Sequence, residues 1–343
     1  MAEPRRMIAV AFGPPSMREA ISELPRIRAA ADCVELRLDL FQSQFDLPLL
    51  LGERHDLPVV VTLRPPEQGG KSPLPPAERL QILLRAAELG AEYIDVEYEA
   101  ATPDAVAQIK HAGAQLIVSR HDFENMPAEL EHTWWDDLAN RGADVVKVVG
   151  TATNVCDCLP TLRVLQRASL PTIAIAMGSA GLLSRILALR SEQCLLTYAA
   201  LDADQGTAPG QLSVSDMRDV YRAGRIGSQT KVFGLLGPHL ERDRLAEYNR
   251  WFADDAVDAV AVPFQTHADA PAIVSAYRKL PVAGWHIHGE ELQRTVGQAL
   301  DELSPGACRQ GKVNAIVQDA SSGLEGHWVE SPREQYELWR SAA

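Results

Sequence analysis

Gly142-Ala143-Asp144-Val145-Val146-Lys147-Val148-Val149-Gly150 sets one lysine in the middle of an otherwise apolar run. Period-two alternation sends Val145, Lys147 and Val149 to one face of a strand and Val146 and Val148 to the other. A strand that is apolar on both faces belongs inside a parallel sheet covered by helices. An ammonium group among valines costs free energy unless it is paired or neutralised. Desolvation favours the neutral amine, which is a nucleophile. The competing reading is a lysine near a strand end whose head snorkels to water. The neighbouring segments decide between them.

Short apolar runs recur along the chain, each followed by a turn and a helical pattern. They begin near Ile8, Cys33, Val59, Tyr93, Gln115, Val145, Thr172 and Leu195. Between them, stretches such as Ala77–Leu89 carry apolar residues at three- and four-residue spacing. Strand–helix alternation with eight strands predicts a closed (β/α)8 TIM barrel, an α/β fold. An open doubly wound sheet is the alternative, but no Gly-x-Gly-x-x-Gly turn follows the first strand. After Gly227-Ser228-Gln229-Thr230, a polar linker, the alternation restarts. Strands at Val232–Leu236, Val257–Val262, Val282–Ile287 and Val313–Val317, with helices between them, predict a small α/β domain with a mostly parallel sheet. The expected division is 1–226 for the barrel and 231–343 for the second domain, within the ordinary range of domain sizes.

A chain of 343 residues with 46% hydrophobic residues can bury a sizeable core, which excludes global disorder. The formal net charge of -13 argues against nucleic acid or an anionic membrane as partner. Five scattered cysteines without a Cys-x-x-Cys pair fit a reducing compartment and no zinc site. With no signal-like or membrane-length apolar segment, the expectation is a cytoplasmic protein without a metal or cofactor. A homodimer is left open.

Polar residues cluster toward the C-terminal ends of the predicted strands: Glu35, Arg37 and Asp39; Thr62 and Arg64; Asp95 and Glu97; Ser119, His121 and Asp122; Lys147; Met177; and Thr197. In a barrel those ends meet at one mouth, where the chemistry of such enzymes lies. That convergence favours Lys147 as an imine-forming nucleophile and His121 as its proton-transfer partner. Glu35, Arg37 and Asp39 read either as an ion-pair ladder or as binders of hydroxyls and carboxylate. Arg185, placed early in the helix after strand seven, is the stronger candidate for an anionic group. The segment Gln205–Gln211 after strand eight reads as a lid or as a plain connector.

These segments resemble, in order, those of type I 3-dehydroquinate dehydratase, the Schiff-base lyase of the shikimate pathway of aromatic amino acid biosynthesis. They are Val34-Glu35-Leu36-Arg37-Leu38-Asp39, Thr62-Leu63-Arg64 with Gly69-Gly70, Asp95-Val96-Glu97, Ser119-Arg120-His121-Asp122-Phe123, Gly142 through Lys147, Met177-Gly178 with Ser184-Arg185, and Ala208-Pro209-Gly210-Gln211. The resemblance implies a (β/α)8 barrel in which Lys147 forms an imine with 3-dehydroquinate. His121 then removes and returns the proton, and Arg185 holds the carboxylate. It also implies that Glu35, Arg37, Arg64, Thr207 and Gln211 contact substrate, with Asp95, Glu97 and Met177 in support. The family pattern Arg-x-x-x-Glu-Gly-Gly reads Arg64-Pro65-Pro66-Glu67-Gln68-Gly69-Gly70 here. Gln68 therefore replaces the glutamate that orients the histidine. An amide can hydrogen-bond an imidazole but cannot stabilise its cation as a carboxylate does.

The second domain is similar to the substrate-binding half of shikimate dehydrogenase, through Val260-Ala261-Val262-Pro263-Phe264-Gln265, Gly311-Lys312-Val313-Asn314-Ala315-Ile316 and Leu324-Glu325-Gly326-His327-Trp328. Gln265 and Glu330 stand where that family's catalytic lysine and aspartate are expected, Gly237–Arg242 replaces its substrate-binding serines, and the chain ends before a nucleotide-binding domain. The expectation is a fused domain without dehydrogenase activity. His286, His288 and His327 are a candidate metal set without a supporting carboxylate or cysteine pattern, so none is assigned. Beside the dehydratase stand two alternatives: a class I aldolase, and a catalytically impaired barrel kept for binding or regulation.

Overall fold

The computed structural model describes residues 6–202, 211–267, 269–280, 282–318 and 323–343. Eight parallel strands follow one another around the first sheet: β1 (Met7–Phe12), β2 (Cys33–Arg37), β3 (Val59–Thr62), β4 (Tyr93–Glu97), β5 (Gln115–His121), β6 (Val145–Thr151), β7 (Thr172–Met177) and β8 (Leu196–Ala199). β8 pairs with β1, and consecutive strands pair from β1 to β7. Between β7 and β8 the ring closes through Thr172 N–H to Gln193 O (2.7 Å) and Leu195 N–H to Thr172 O (3.1 Å). The predicted barrel is observed.

Alternation along each strand sorts the side chains into two apolar bodies. Ala9, Cys33, Val60, Ile117, Val145, Ile173 and Leu196 fill the barrel interior. Val34, Val61, Val146 and Val148 point outward and pack beneath the helices. The interior positions nearer the C-terminal ends are polar: Glu35, Thr62, Asp95, Ser119 and Lys147, all buried. Ladder register sets them side by side, with Thr62 opposite Asp95 and Ser119 opposite Lys147. Thr197 departs from its expected place, because Leu196 and Tyr198 take the inward positions on β8.

A second sheet holds β9 (Lys231–Gly237), β10 (Ala259–Gln265), β11 (Val282–Ile287), β12 (Glu302–Leu303), β13 (Ala315–Gln318) and β14 (Leu324–His327) in the order β10-β9-β11-β13-β14-β12. β9 is parallel to β10 and β11, and β12 to β14, whereas β13 is antiparallel to both its neighbours. Strands β12 and β14 were not expected from the sequence. β12, with two residues, is too short to show a period, and in β14 the second buried position is Gly326, which carries no apolar side chain to mark it.

The second unit packs on the β6–β8 side of the barrel. Its Phe264, Tyr277 and Leu280 belong to the same apolar cluster as Val155, Leu162 and Leu187. Tyr277 donates its hydroxyl to the Val155 carbonyl at 2.5 Å, and Arg190 Nε donates to the Thr230 carbonyl at 2.9 Å. Arg242 pairs with Asp216, which lies just beyond Gln211. Among the described residues no helix is long and apolar enough to cross a membrane.

Candidate active site

Lys147 points up the barrel axis into a ring of acceptors. Its Nζ lies 2.8 Å from Asp95 Oδ2, 3.3 Å from Glu35 Oε1 and 3.1 Å from the Tyr198 hydroxyl. The side chain is 5% exposed, so it does not snorkel. Two carboxylates, rather than water, compensate its charge.

Asp95 is the hub of this ring. Its Oδ2 accepts from Lys147 and from Arg64 Nη2 at 2.7 Å, and its Oδ1 accepts from the Ser119 hydroxyl at 2.6 Å. Burial pushes its carboxyl up, but Arg64 and Lys147 outweigh burial and hold it far below the usual carboxylate range. Glu35 accepts from the Thr62 hydroxyl at 2.6 Å. Burial opposes its charge, yet Lys147 holds it too below its usual value. Glu97 lies 3.9 Å from Arg64 Nη1 and 3.5 Å from Arg79 Nη2, and burial pushes it up.

His121 ends β5 beside this network. Its Nδ1 is 3.0 Å from Arg64 Nη1, and its ring stacks on Phe123 with centroids 5.7 Å apart. Burial, then the charges of Arg64 and Lys147, pull the imidazole well below its usual range. Gln68 does not take the expected role of orienting the ring. Its Oε1 accepts from the His121 backbone N–H at 3.2 Å instead. The turn that carries it needs its glycines: Gly69 has φ +73°, and a Cβ on Gly70 would lie 2.0 Å from the Arg64 carbonyl oxygen.

Arg185 departs from its expected setting at a helix N-terminus. It lies in the last turn of the six-residue helix Leu182–Leu187. It is 2% exposed, and among the described residues its Nη1 reaches only the Tyr198 carbonyl at 3.5 Å and its Nε has no partner. Burial pulls this guanidinium down to about 10. A buried cation so poorly paired is a ready site for an anion. Arg37 is bound by Asp39 through two contacts at 2.9 and 2.8 Å, so Asp39 is its partner rather than an independent member of the site. Asp122 caps its own loop by accepting from the Glu124 and Asn125 N–H groups.

A cavity of about 150 Å³ opens above Lys147, lined by Glu35, Arg37, Arg64, His121, Met177, Arg185, Tyr198 and Gln211 among others. Separate stretches of chain, from β1 to the segment after β8, thus converge on one space. Thr207 lies outside the described residues. Tyr198 escaped the sequence reading, although Leu196-Thr197-Tyr198 held the signal: once Leu196 faces inward, so must Tyr198. Among the described residues no group of three or more His, Cys, Asp or Glu is arranged to hold a metal ion. In the second unit, the His286 ring sits against His288 and its Nδ1 lies 2.8 Å from the Tyr248 hydroxyl.

Residues 8–228 match the family model of type I 3-dehydroquinase. A chloroplastic bifunctional 3-dehydroquinate dehydratase/shikimate dehydrogenase of Arabidopsis thaliana is 33% identical over 303 residues, 85% of this chain and 49% of that one. The chain thus spans about half that relative's length. A 3-dehydroquinate dehydratase of Pyrococcus abyssi is 34% identical over 63% of this chain and 97% of its own. In fold, a dehydroquinate dehydratase and shikimate dehydrogenase structure from S. pombe superposes with a TM-score of 0.53 at 24% identity. It covers 94% of this chain and 64% of its own, so the likeness extends through the second unit.

Proposed function

The chain belongs to the type I 3-dehydroquinase family, and from that premise we propose that it dehydrates 3-dehydroquinate to 3-dehydroshikimate through an imine on Lys147. The observation that carries the reading is the position of Lys147, buried at the floor of a cavity that also holds His121 and a nearly unpartnered Arg185.

The substrate carboxylate binds Arg185, where it supplies the negative charge that buried guanidinium lacks. Its hydroxyls meet Glu35, Arg37, Arg64 and Gln211, with Thr207 on the segment before Gln211. Lys147 attacks the ketone, and the two protons its nitrogen gives up pass to the former carbonyl oxygen, which leaves as water to form the protonated imine. The protonated imine draws electrons from the adjacent C–H bond. His121 takes that proton and then returns it to the departing hydroxyl, which leaves as water. Hydrolysis of the imine frees Lys147. Asp95 balances the positive charge on the nitrogen throughout, and Tyr198 hydrogen-bonds it.

With the barrel taken as 1–226 and the second domain as 231–343, the second domain supports the β6–β8 side of the barrel and does not reduce the product. Gln265, at the end of β10, donates to the Pro238 carbonyl at 3.3 Å, and an amide cannot serve as an acid or base there. The test is incubation with 3-dehydroquinate, borohydride reduction and peptide mapping by mass spectrometry, with product followed by its ultraviolet absorbance. A reduced adduct on Lys147, absent from Lys147→Met, is expected. Turnover without an adduct would rule out the imine.

A further inference from the structure

Among the described residues the one polar contact to the His121 ring is from Arg64, whose Nη1 stands 3.0 Å from Nδ1. A guanidinium carries only donors. Nδ1 must therefore accept, and the proton of the neutral ring resides on Nε2. Arg64 is not free to drift. Asp95 holds its Nη2 at 2.7 Å, the Ser119 hydroxyl lies 3.2 Å from Nη1, and Glu97 is 3.9 Å away. The ring is equally constrained, stacked at 6° on Phe123 while its backbone N–H is held by Gln68. Resting as the Nε2–H form, His121 offers a proton from Nε2 but no lone pair there. That is the wrong form for removing a proton from carbon.

Resting on the proton-transfer role proposed above, we infer that Arg64 is a tautomer lock on His121, released when a bound hydroxyl oxygen of the substrate takes over its Nη1. Release leaves Nδ1 free to hold the ring proton, which moves there from Nε2 through water in the cavity, with no net gain or loss. Nε2 then has a lone pair for the substrate proton. The imidazolium so formed gives that proton to the leaving hydroxyl and returns to the neutral Nδ1–H form. Departure of product lets Arg64 close on Nδ1 again. Gln68 leaves Nδ1 to Arg64, because its amide oxygen is taken by the His121 backbone N–H. Arg64 is thus a positioning residue for His121 as well as a substrate contact.

Long-range proton–nitrogen NMR on the full chain labelled with 15N-histidine reads the tautomer directly, with His121→Gln assigning the signal. In the free protein near neutral pH His121 is expected as the neutral Nε2–H form. After trapping with 3-dehydroquinate and borohydride it is expected to leave that form. A free protein showing the Nδ1–H form or the imidazolium overturns the lock, and so does a trapped protein whose His121 signal stays Nε2–H. Kinetics give a second readout: the acid limb of kcat should lie at higher pH than that of kcat/KM, since the guanidinium has left the ring only in the complex. Coincident limbs overturn the lock as well. Should no adduct form, the imine reading fails, while the free-protein tautomer still judges the contact between Arg64 and His121.

Discussion

Asp95→Asn removes one charge and almost no volume from the centre of the site. Asp95 is 0% exposed and receives Arg64, Lys147 and Ser119. With asparagine there, among the described residues Lys147 keeps Glu35 at 3.3 Å as its ion-pair partner, and Arg64 keeps Glu97 at 3.9 Å and the more distant charge of Glu35. Removing one partner of a buried ion pair typically costs about 3–5 kcal/mol, because the remaining charge is left uncompensated. For a domain of this size each kcal/mol lowers Tm by about 2–4 °C, so a fall of roughly 6–20 °C is expected. Lys147→Met alone should cost less, since Asp95 retains Arg64 and Ser119. The double variant removes one charge of each sign, so it should recover about 1–3 kcal/mol relative to the sum of the two single changes. Urea unfolding followed by tryptophan fluorescence, with calorimetry for Tm, measures all four corners of this cycle. Additivity within about 0.5 kcal/mol would refute the coupling and with it the idea that Asp95 compensates the lysine.

Other outcomes follow from the same contacts. Gly70→Ala places a Cβ 2.6 Å from that of Arg64 as well as against its carbonyl. It should destabilise the chain by about 1–3 kcal/mol and lower kcat/KM by displacing Arg64; wild-type values in both assays would contradict the tight turn. Gln68→Glu keeps an acceptor for the His121 N–H and adds a charge near the ring. The acid limb of kcat/KM should therefore move to higher pH; an unmoved limb means that position 68 does not influence the imidazole. Stability should fall on acidification. His121 lies well below its usual range through burial and neighbouring cations, and burial and then His288 pull His286 down to about 3. Both take up protons more readily unfolded, so their contribution is full above about pH 6.5 and is lost as pH falls. Glu35 and Asp95 add a loss below about pH 4, while Glu97, pushed up by burial, acts in the opposite sense. A Tm that rises between about pH 7 and pH 5 contradicts this assignment.

Most of the barrel and much of its mouth were legible in the sequence, for two local reasons. Continuous apolar runs mark strands buried on both faces. Period-two alternation then states which residues share a face, and the polar residues of the neighbouring strand ends, not Val145-Val146-Lys147-Val148-Val149 alone, placed Lys147 inside. The same rule contained Tyr198, whose neighbour Thr197 drew attention by polarity instead. Strand β12 carries too few residues for any period to register, and β14 places Gly326 where a second apolar side chain would have marked its buried face.

What the sequence by itself determined is the set of residues at the mouth and the fold that gathers them. Strand register along a parallel ring follows from local pattern, and register alone sets Thr62 beside Asp95 and Ser119 beside Lys147. Tertiary structure decided the partners. Lys147 proved to be paired rather than isolated, Gln68 binds the His121 backbone rather than its ring, and Arg64 occupies Nδ1. Those outcomes depend on the directions of long side chains from different strands meeting across the barrel. No periodicity within one segment encodes such a meeting, because each contact joins residues some 50 or more positions apart.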